Sequence, residues 1–126
     1  MPVYRNIDDI TAGDSYTLIR DLDPLDSGAA ITNAWFTVKE HLEDNDAMAK
    51  INLSITANAS ASGYINNYTD GTGSRLTFTI TPPMAALLSP SEIYFYDICA
   101  LSATSEAFTV EIGKLYTTQY VRHLLA

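Results

Sequence analysis

Short stretches in which apolar and polar residues alternate one by one constrain the fold of this chain most. Residues 75–81 read R-L-T-F-T-I-T, which places Leu76, Phe78 and Ile80 on one face and threonines on the other. A period of two, built from β-branched and aromatic residues, is typical of a half-buried β-strand. Residues 50–56 repeat the pattern. The alternation therefore predicts strands that each present one face to a core.

The same pattern predicts strands over most of the remaining chain. They are expected at residues 3–7, 15–22, 35–40, 93–101, 107–112 and 115–121. In residues 35–40, Phe36 and Val38 are the expected core pair, because they lie two positions apart on an alternating segment. Residues 93–101 are almost continuously apolar, which predicts a central strand covered on both faces and makes Cys99 a small buried residue.

The segment that ends at Gly113 is expected to be a separate short strand. Phe108, Val110 and Ile112 alternate with polar residues, so all three are expected to face the core. Glycine weakens the interior of a strand, and Gly113 is therefore expected to end this one.

Helical signals are confined to two short segments, residues 44–50 and 82–88. Neither is long enough to form an independent helix in water. Turn-forming residues separate the strands at D-P-L-D-S-G (23–28) and D-G-T-G-S (70–74). Many short strands with regular turns and no alternation with long helices predict an all-β antiparallel sandwich or small barrel, with about seven or eight strands and one or two helical turns.

The 126 residues match the usual size of one domain, which is about 100–150 residues. Residues 1–126 are therefore expected to form one β-sandwich domain. Within it, residues 1–12 are expected to be an N-terminal arm or edge strand. Residues 57–74 are expected to be a flexible loop or hairpin, because this stretch is rich in small and polar residues.

Composition excludes several classes of function. The chain has 7 Lys and Arg against 15 Asp and Glu, for a net charge of −8, so no basic surface for nucleic acid is expected. No apolar run approaches the roughly 20 residues that span a bilayer, and no membrane partner is expected. A single cysteine cannot form an internal disulfide framework.

The residues that most often carry catalysis or bind metals are too dispersed to predict a site. His41 and His123 are the two histidines, and neither has ligands at the spacing of a zinc site. Asp21 and Asp23 have the alternating spacing of calcium ligands, but there is no D-x-D-x-D-G loop with a distal glutamate. These two residues and Asp26 are therefore expected to hydrogen-bond a turn. The sequence predicts no catalytic, cofactor-binding or metal-binding residues, and the chain is expected not to be an enzyme.

Tyrosine is unusually frequent, with 8 residues against a single tryptophan. Tyr64 and Tyr68 occur in a polar context that suggests an exposed loop, whereas Tyr116 and Tyr120 occur on an expected strand. Tyrosine is favoured at interfaces, because it has a large apolar ring and a polar tip. These four are the predicted interaction residues. For the strand tyrosines, a role in cross-strand core pairs is the alternative.

Six segments of the chain follow one another in a characteristic order. They are G-D-S-Y-T-L (13–18), D-P-L-D-S-G-A-A-I (23–31), A-W-F-T-V-K-E (34–40), R-L-T-F-T-I-T-P (75–82), I-Y-F-Y-D-I (93–98) and F-T-V-E-I-G-K-L (108–115). This order resembles small immunoglobulin-like proteins from the structural gene clusters of tailed bacteriophages, and it is also similar to the N-terminal β-sandwich domain of phage baseplate upper proteins. The resemblance covers about residues 13–121. It departs at residues 89–92, where most relatives have glycine, and at residues 58–68, which are longer and more polar.

The resemblance implies an immunoglobulin-like sandwich and a role in a virus particle. The implied function is that of a non-enzymatic virion structural protein, an oligomeric adaptor in the tail or baseplate or in the head–tail or fibre-attachment region. It would be made in the bacterial host cytoplasm, and its partners would be other virion proteins and further copies of itself, as a trimer or hexamer. Two alternatives stay open: a carbohydrate- or receptor-binding module that uses Tyr64 and Tyr68, and a capsid decoration protein.

Overall fold

A computed structural model describes residues 3–11, 13–25, 29–41, 43–68, 73–89 and 92–118. Within these ranges the chain forms nine strands: β1 (Val3–Tyr4), β2 (Ile7–Thr11), β3 (Tyr16–Leu22), β4 (Ile31–Lys39), β5 (Ile51–Thr56), β6 (Gly63–Asn67), β7 (Ser74–Ile80), β8 (Ile93–Ser102) and β9 (Ala107–Thr118). A 3₁₀ turn at Asp46–Met48 and the one-turn helix α1 (Pro82–Ala85) lie in the two segments with helical signals.

The strands form two sheets that pack face to face, and the expected all-β sandwich is confirmed. In the described part of the chain, the larger sheet has the order β1-β9-β8-β4-β5, and β2 also pairs with β9. The smaller sheet has the order β3-β7-β6. The sequence β9-β8-β4-β5 opposite β3-β7-β6 is the order of strands G-F-C-C′ and B-E-D in immunoglobulin-type sandwiches.

The pairing of β1 and β2 differs from the fully antiparallel arrangement that was expected. Both strands run parallel to β9, with Val3 opposite Glu111 and Ile7 opposite Leu115. The expected N-terminal strand at 3–7 is in fact two short strands, interrupted where Arg5 crosses Gly113. Ile7 and Ile10 are buried in the core, so the N-terminal region is an integral part of the larger sheet.

The core lies between the sheets and is centred on aromatic contacts. Phe36 from β4 lies 5.7 Å from Phe78 on β7 and 5.8 Å from Tyr96 on β8, measured between ring centroids. Phe36 and Val38 are fully buried, which confirms the predicted core pair. The apolar residues of the R-L-T-F-T-I-T segment, Leu76, Phe78 and Ile80, are buried as their alternation predicted.

The last described strand differs from its prediction in two ways. β9 continues through Gly113 as one strand, where two separate strands were expected. A β-bulge interrupts its pairing with β8 between the pairs Cys99–Thr109 and Ile98–Glu111. A bulge inserts one residue and reverses which face the following side chains occupy. Glu111 is therefore buried, and Ile112, expected in the core, lies on the outer face of the larger sheet beside Asp97.

Gly113 is retained inside β9 because the backbone of Arg5 passes directly over it. A Cβ atom at this position would overlap the Arg5 carbonyl oxygen and lie 2.7 Å from its carbonyl carbon. The Arg5 amide donates a hydrogen bond to the Ile112 carbonyl at 3.0 Å. Glycine at 113 is therefore what allows the chain between β1 and β2 to reach the larger sheet.

Strand β8 presents one face to the core and leaves the other partly open, which corrects the expectation of a strand covered on both faces. Tyr94, Tyr96 and Ile98 are buried. Cys99 lies on the opposite face, is half-buried, and has its sulfur 3.8 Å from the Thr109 hydroxyl oxygen. A continuous apolar run does not distinguish the two faces of a strand. Successive side chains still point to opposite faces, so that the second sheet covers only every other residue of β8.

Asn67 joins the two sheets at one end, where β4 begins at Ile31 rather than at the expected Trp35. Its side-chain amide donates to the Ile31 carbonyl at 3.0 Å and accepts from the Ile31 amide at 2.9 Å. The Ser74 hydroxyl also donates to the Asn67 side-chain oxygen, at 2.6 Å. The strand extends back to Ile31 because β8 pairs with it as far as Ser102, and the Asn67 side chain satisfies both backbone groups of Ile31.

Candidate interaction surfaces

The predicted interaction tyrosines that the structure describes lie on both sheets: Tyr64 and Tyr68 are both within electrostatic reach of Arg75, and Tyr116 is on the larger sheet. Tyr64 lies on β6 rather than in a loop, faces away from the core and is 42% exposed. Tyr68 follows β6, and its hydroxyl donates to Asp21 at 3.4 Å. Tyr116 lies on β9 in the other sheet, half-buried opposite Ile93. Tyr120 lies outside the described residues.

A groove of about 920 Å³ lies between β3 of the smaller sheet and β9 of the larger sheet. Ile19 and Val3 in its walls are each 46% exposed. Phe108 and Val110 are half-buried and pack against the core from the β9 side. Leu22, Pro24 and Leu25 line the end of the groove where β3 finishes. This side of the sandwich therefore presents apolar side chains that the two sheets cover only in part.

Strand β3 borders the groove and is an edge strand. Among the described residues it pairs with β7 alone. In constant-type immunoglobulin sandwiches a first strand lies beside the equivalent of β3, in the order A-B-E-D. Here β1 and β2 pair with β9 in the opposite sheet instead. Tyr16 at the start of β3 makes a further contact of its own. Sheet edges that remain exposed can accept a strand from another chain segment.

A buried polar network forms the floor of the groove and connects both sheets. The Arg20 Nε atom on β3 donates to Glu111 Oε1 on β9 at 2.8 Å. The Tyr96 hydroxyl on β8 donates to Glu111 Oε2 at 2.5 Å and lies 3.0 Å from the Arg5 carbonyl oxygen. Glu111 is buried, and the Arg20 side chain is 18% exposed. The carboxylate thus bonds to a guanidinium on one side and to a phenol on the other.

Burial and Glu111 together shift the ionisation of this network. Burial, followed by the hydrogen bond to Glu111 and its negative charge, raises the pKa of Tyr96 well above its ordinary value. Burial by itself lowers the pKa of Arg20, but the hydrogen bond and charge of Glu111 outweigh it, so that the Arg20 pKa is raised overall. Both shifts favour a neutral phenol beside a charged guanidinium–carboxylate pair.

Replacing Tyr96 with phenylalanine is expected to destabilise the protein less at high pH than at neutral pH. The folded state holds Tyr96 protonated, so its contribution is complete below the ordinary tyrosine pKa of about 10 and is lost as the pH rises above that value. The stability difference between the parent and Tyr96→Phe should shrink by up to about 1.4 kcal/mol per pH unit above that pKa. Urea unfolding across this range at constant ionic strength measures the difference. A difference that does not change with pH would contradict the expectation.

A second surface occupies the outer face of the larger sheet. A shallow pocket of about 370 Å³ is lined by Phe95, Ile112 and Tyr4, which is 74% exposed. Lys39 and Lys114 lie at the same pocket. Aromatic walls with ammonium groups can hold an apolar or acidic side chain of a partner. The exposed half of Cys99 lies on this face, beside Trp35.

The groove and its floor escaped the sequence-based prediction, although one signal pointed to them. Arg20 shares the inward face of β3 with Leu18 and Leu22, and a charged side chain on such a face requires a partner or an open edge. Arg20 has both. Its partner Glu111 could not be found in the same way, because the bulge in β9 reverses the alternation just before it.

Asp21, one of the acidic residues considered for a metal site, forms an ion pair with Arg75. Asp21 accepts a hydrogen bond from Arg75 at 2.8 Å, and this bond lowers the pKa of Asp21. The positive charge of Arg75 lowers the same pKa further. No group of three potential metal ligands occurs within the described residues. His41 is exposed, and Asp26 and His123 lie outside the described ranges. None of the helices found in the described chain is long and apolar enough to cross a membrane.

No protein-family model and no curated protein matches this chain. Its own surfaces therefore provide the physical indication of function. Of the two surfaces, the groove beside β3 combines half-covered apolar residues with a strand that has β7 as its one neighbour among the described residues.

Proposed function

We propose that this protein is a non-enzymatic structural component of a bacteriophage particle. It acts as an oligomeric adaptor in the tail or baseplate, or in the head–tail or fibre-attachment region. The observation that carries this proposal is the open side of the sandwich, where the β3 edge and an apolar groove lie next to each other. The resemblance of the ordered sequence segments to phage immunoglobulin-like proteins supplies the setting.

Association with another chain stabilises a protein that exposes a sheet edge and an apolar groove, because the partner covers both. Edge strands in monomeric proteins are usually protected by charges, prolines, bulges or covering segments, because they otherwise pair with other chains. Here Ile19 stands on the edge strand itself and is 46% exposed. A strand supplied by a neighbouring subunit would cover Ile19 and complete the smaller sheet, which favours assembly over a permanent monomer.

The type of contact favours rings. An edge that receives a different segment of the next subunit makes a head-to-tail contact, and such contacts close into rings when the rotation between subunits allows it. A trimer or hexamer fits the symmetry that the phage resemblance implies. The net charge of −8 keeps the separate subunits soluble before they assemble.

Native mass spectrometry of the purified chain at micromolar concentration tests this function. We expect a closed oligomer of three or six copies, and we expect the protein in purified phage particles from the host that carries its gene. Cryo-electron microscopy of those particles would then distinguish the tail from the capsid surface. A chain that is monomeric at every concentration and absent from the particles would refute the proposal.

A further inference from the structure

We infer that the pocket on the outer face of the larger sheet binds the acidic turn (residues 43–48) of a second copy of this chain, with Met48 as the inserted side chain. This inference rests on the proposed function, because it names a contact through which the copies assemble. It does not depend on the β3 edge. The pocket is the acceptor, and the acidic turn, which lies between β4 and β5, is the donor.

The acceptor pocket has apolar walls with an ammonium group on each side. Its volume is about 370 Å³, and Tyr4, Phe95 and Ile112 line it. Phe95 pairs with Lys39 on β4 and with Lys114 on β9, so that the three residues form one row across neighbouring strands. Since neighbouring strands lie about 4.8 Å apart, the backbones of the two lysines are about 10 Å apart, one on each side of Phe95. An apolar side chain can enter between them while acidic neighbours meet the ammonium groups.

The charge of the pocket differs from that of the whole chain. The chain has three lysines, at positions 39, 50 and 114, and two of them line this pocket. Together with Asp97 they give its lining a formal charge of +1, in a chain whose net charge is −8. Lys39 has a further interaction of its own, and Lys114 is exposed. The pocket therefore attracts an acidic segment, which the negative charge of the rest of the chain would repel.

The acidic turn has the complementary composition. It reads E-D-N-D-A-M, so that three acidic residues occur in the five positions before Met48. The Met48 side chain is apolar, yet the residue is 60% exposed. No other large apolar residue that the structure describes as exposed follows more than one acidic residue within five positions. The turn therefore offers an apolar side chain next to negative charge, which is what the pocket selects.

Hydrogen bonds within the turn fix the backbone that carries Met48. The Asp44 amide donates to the His41 carbonyl at 3.1 Å, and the Met48 amide donates to the Asn45 carbonyl at 3.0 Å. The Asp44 carboxylate accepts from the His41 amide at 3.2 Å. Because the turn is already ordered, little conformational freedom is lost when it binds. Met48 does not line the pocket of its own copy, so this exposed side chain can enter the pocket of another.

Methionine suits a pocket with aromatic walls. Its side chain is unbranched and adapts to irregular spaces, and its sulfur makes favourable contacts with aromatic rings. Met48 would insert beside Tyr4 and Phe95, and Glu43 would pair with Lys114. The turn and the pocket are different surfaces of the molecule, so that the contact is head-to-tail and can close into a ring.

The first test replaces the inserted side chain. Met48→Asp places a carboxylate in the apolar pocket and should raise the concentration at which the oligomer is half dissociated by about tenfold or more. The matched control is Leu87→Asp, at a residue that is 56% exposed and lies outside the turn and the pocket, which should leave that concentration unchanged. Analytical ultracentrifugation and native mass spectrometry measure the assembly, and urea unfolding checks that both variants are folded.

The second test exchanges the charges. Lys114→Glu in the pocket and Glu43→Lys in the turn should each weaken assembly by about tenfold, because like charges then face each other. The double variant with both changes should assemble at concentrations close to those of the parent chain, since the pair is restored with its signs exchanged.

The outcomes separate this inference from the proposed function. If the parent chain assembles and occurs in phage particles while Met48→Asp assembles equally well, the inference is overturned and the proposed function stands. Equal losses for Met48→Asp and Leu87→Asp, or a double variant that does not recover, would also overturn the inference, because the turn and the pocket then do not meet. A parent chain that is monomeric at every concentration would overturn the inference, and its absence from phage particles as well would overturn the proposed function.

Discussion

Replacing Glu111 with alanine is expected to lower the free energy of unfolding by about 3–5 kcal/mol. Glu111 is buried and accepts hydrogen bonds from Arg20 and Tyr96. Its removal leaves the Arg20 guanidinium, which is 18% exposed, without the carboxylate that balances its charge. An unbalanced charge in a buried site costs more than the intact pair contributes, and this asymmetry sets the size of the effect. Equilibrium urea unfolding near neutral pH measures it.

Two further variants identify the cause of that loss. Arg75→Ala removes an ion pair with Asp21 in which both side chains are largely exposed, and solvent screening should make its effect far smaller. The double variant Arg20→Met, Glu111→Leu removes both charges and should recover most of the stability, since apolar residues of similar volume replace a buried pair well. Equal losses for Glu111→Ala and Arg75→Ala would contradict the assignment of Glu111 as the centre of a buried network.

The parts of the fold that were predictable are those that local alternation determines. Leu76, Phe78 and Ile80 are buried because a strand with a period of two places them on one face, whatever it pairs with. The same reasoning failed at Ile112 and Glu111, because a bulge depends on the partner strand and reverses the faces after it. Cys99 was misplaced for a related reason. An apolar run does not reveal which of its faces the second sheet will cover.

The candidate site was less predictable than the core, because contacts between residues distant in sequence create it. The groove exists because β1 and β2 pair with β9, more than a hundred residues further along the chain, and leave β3 without a second neighbour in the described structure. Neither segment carries a local signal for that choice. The tyrosines were easy to find by composition, yet Tyr64 and Tyr116 lie on different sheets. Composition identifies residue types suited to binding, and long-range pairing decides whether they meet.

Gly113→Ala is expected to detach the N-terminal strands from the larger sheet and to cost about 3 kcal/mol or more, the value of burying Ile7 and Ile10. The added Cβ would overlap the Arg5 carbonyl group, and the neighbouring Tyr96 Cε1 atom at 3.2 Å blocks movement toward the core. Backbone cannot yield as a flexible side chain can, so the segment that contains Arg5 must move away. Urea unfolding measures the loss of stability, and hydrogen exchange should find loss of protection concentrated in β1 and β2.

A shortened background separates this overlap from any other effect of alanine at position 113. In a chain that lacks residues 1–5, no Arg5 carbonyl lies over β9, and Gly113→Ala should then change stability by less than about 1 kcal/mol. The difference between the two backgrounds is the coupling between Gly113 and the N-terminal segment. Equal losses in both backgrounds would mean that position 113 requires glycine for a reason within β9 itself. A large coupling would instead establish that β9 contains glycine at this position so that the segment between β1 and β2 can cross it. That crossing lets β1 and β2 pair with β9, and β3 is then left with β7 as its one strand neighbour among the described residues.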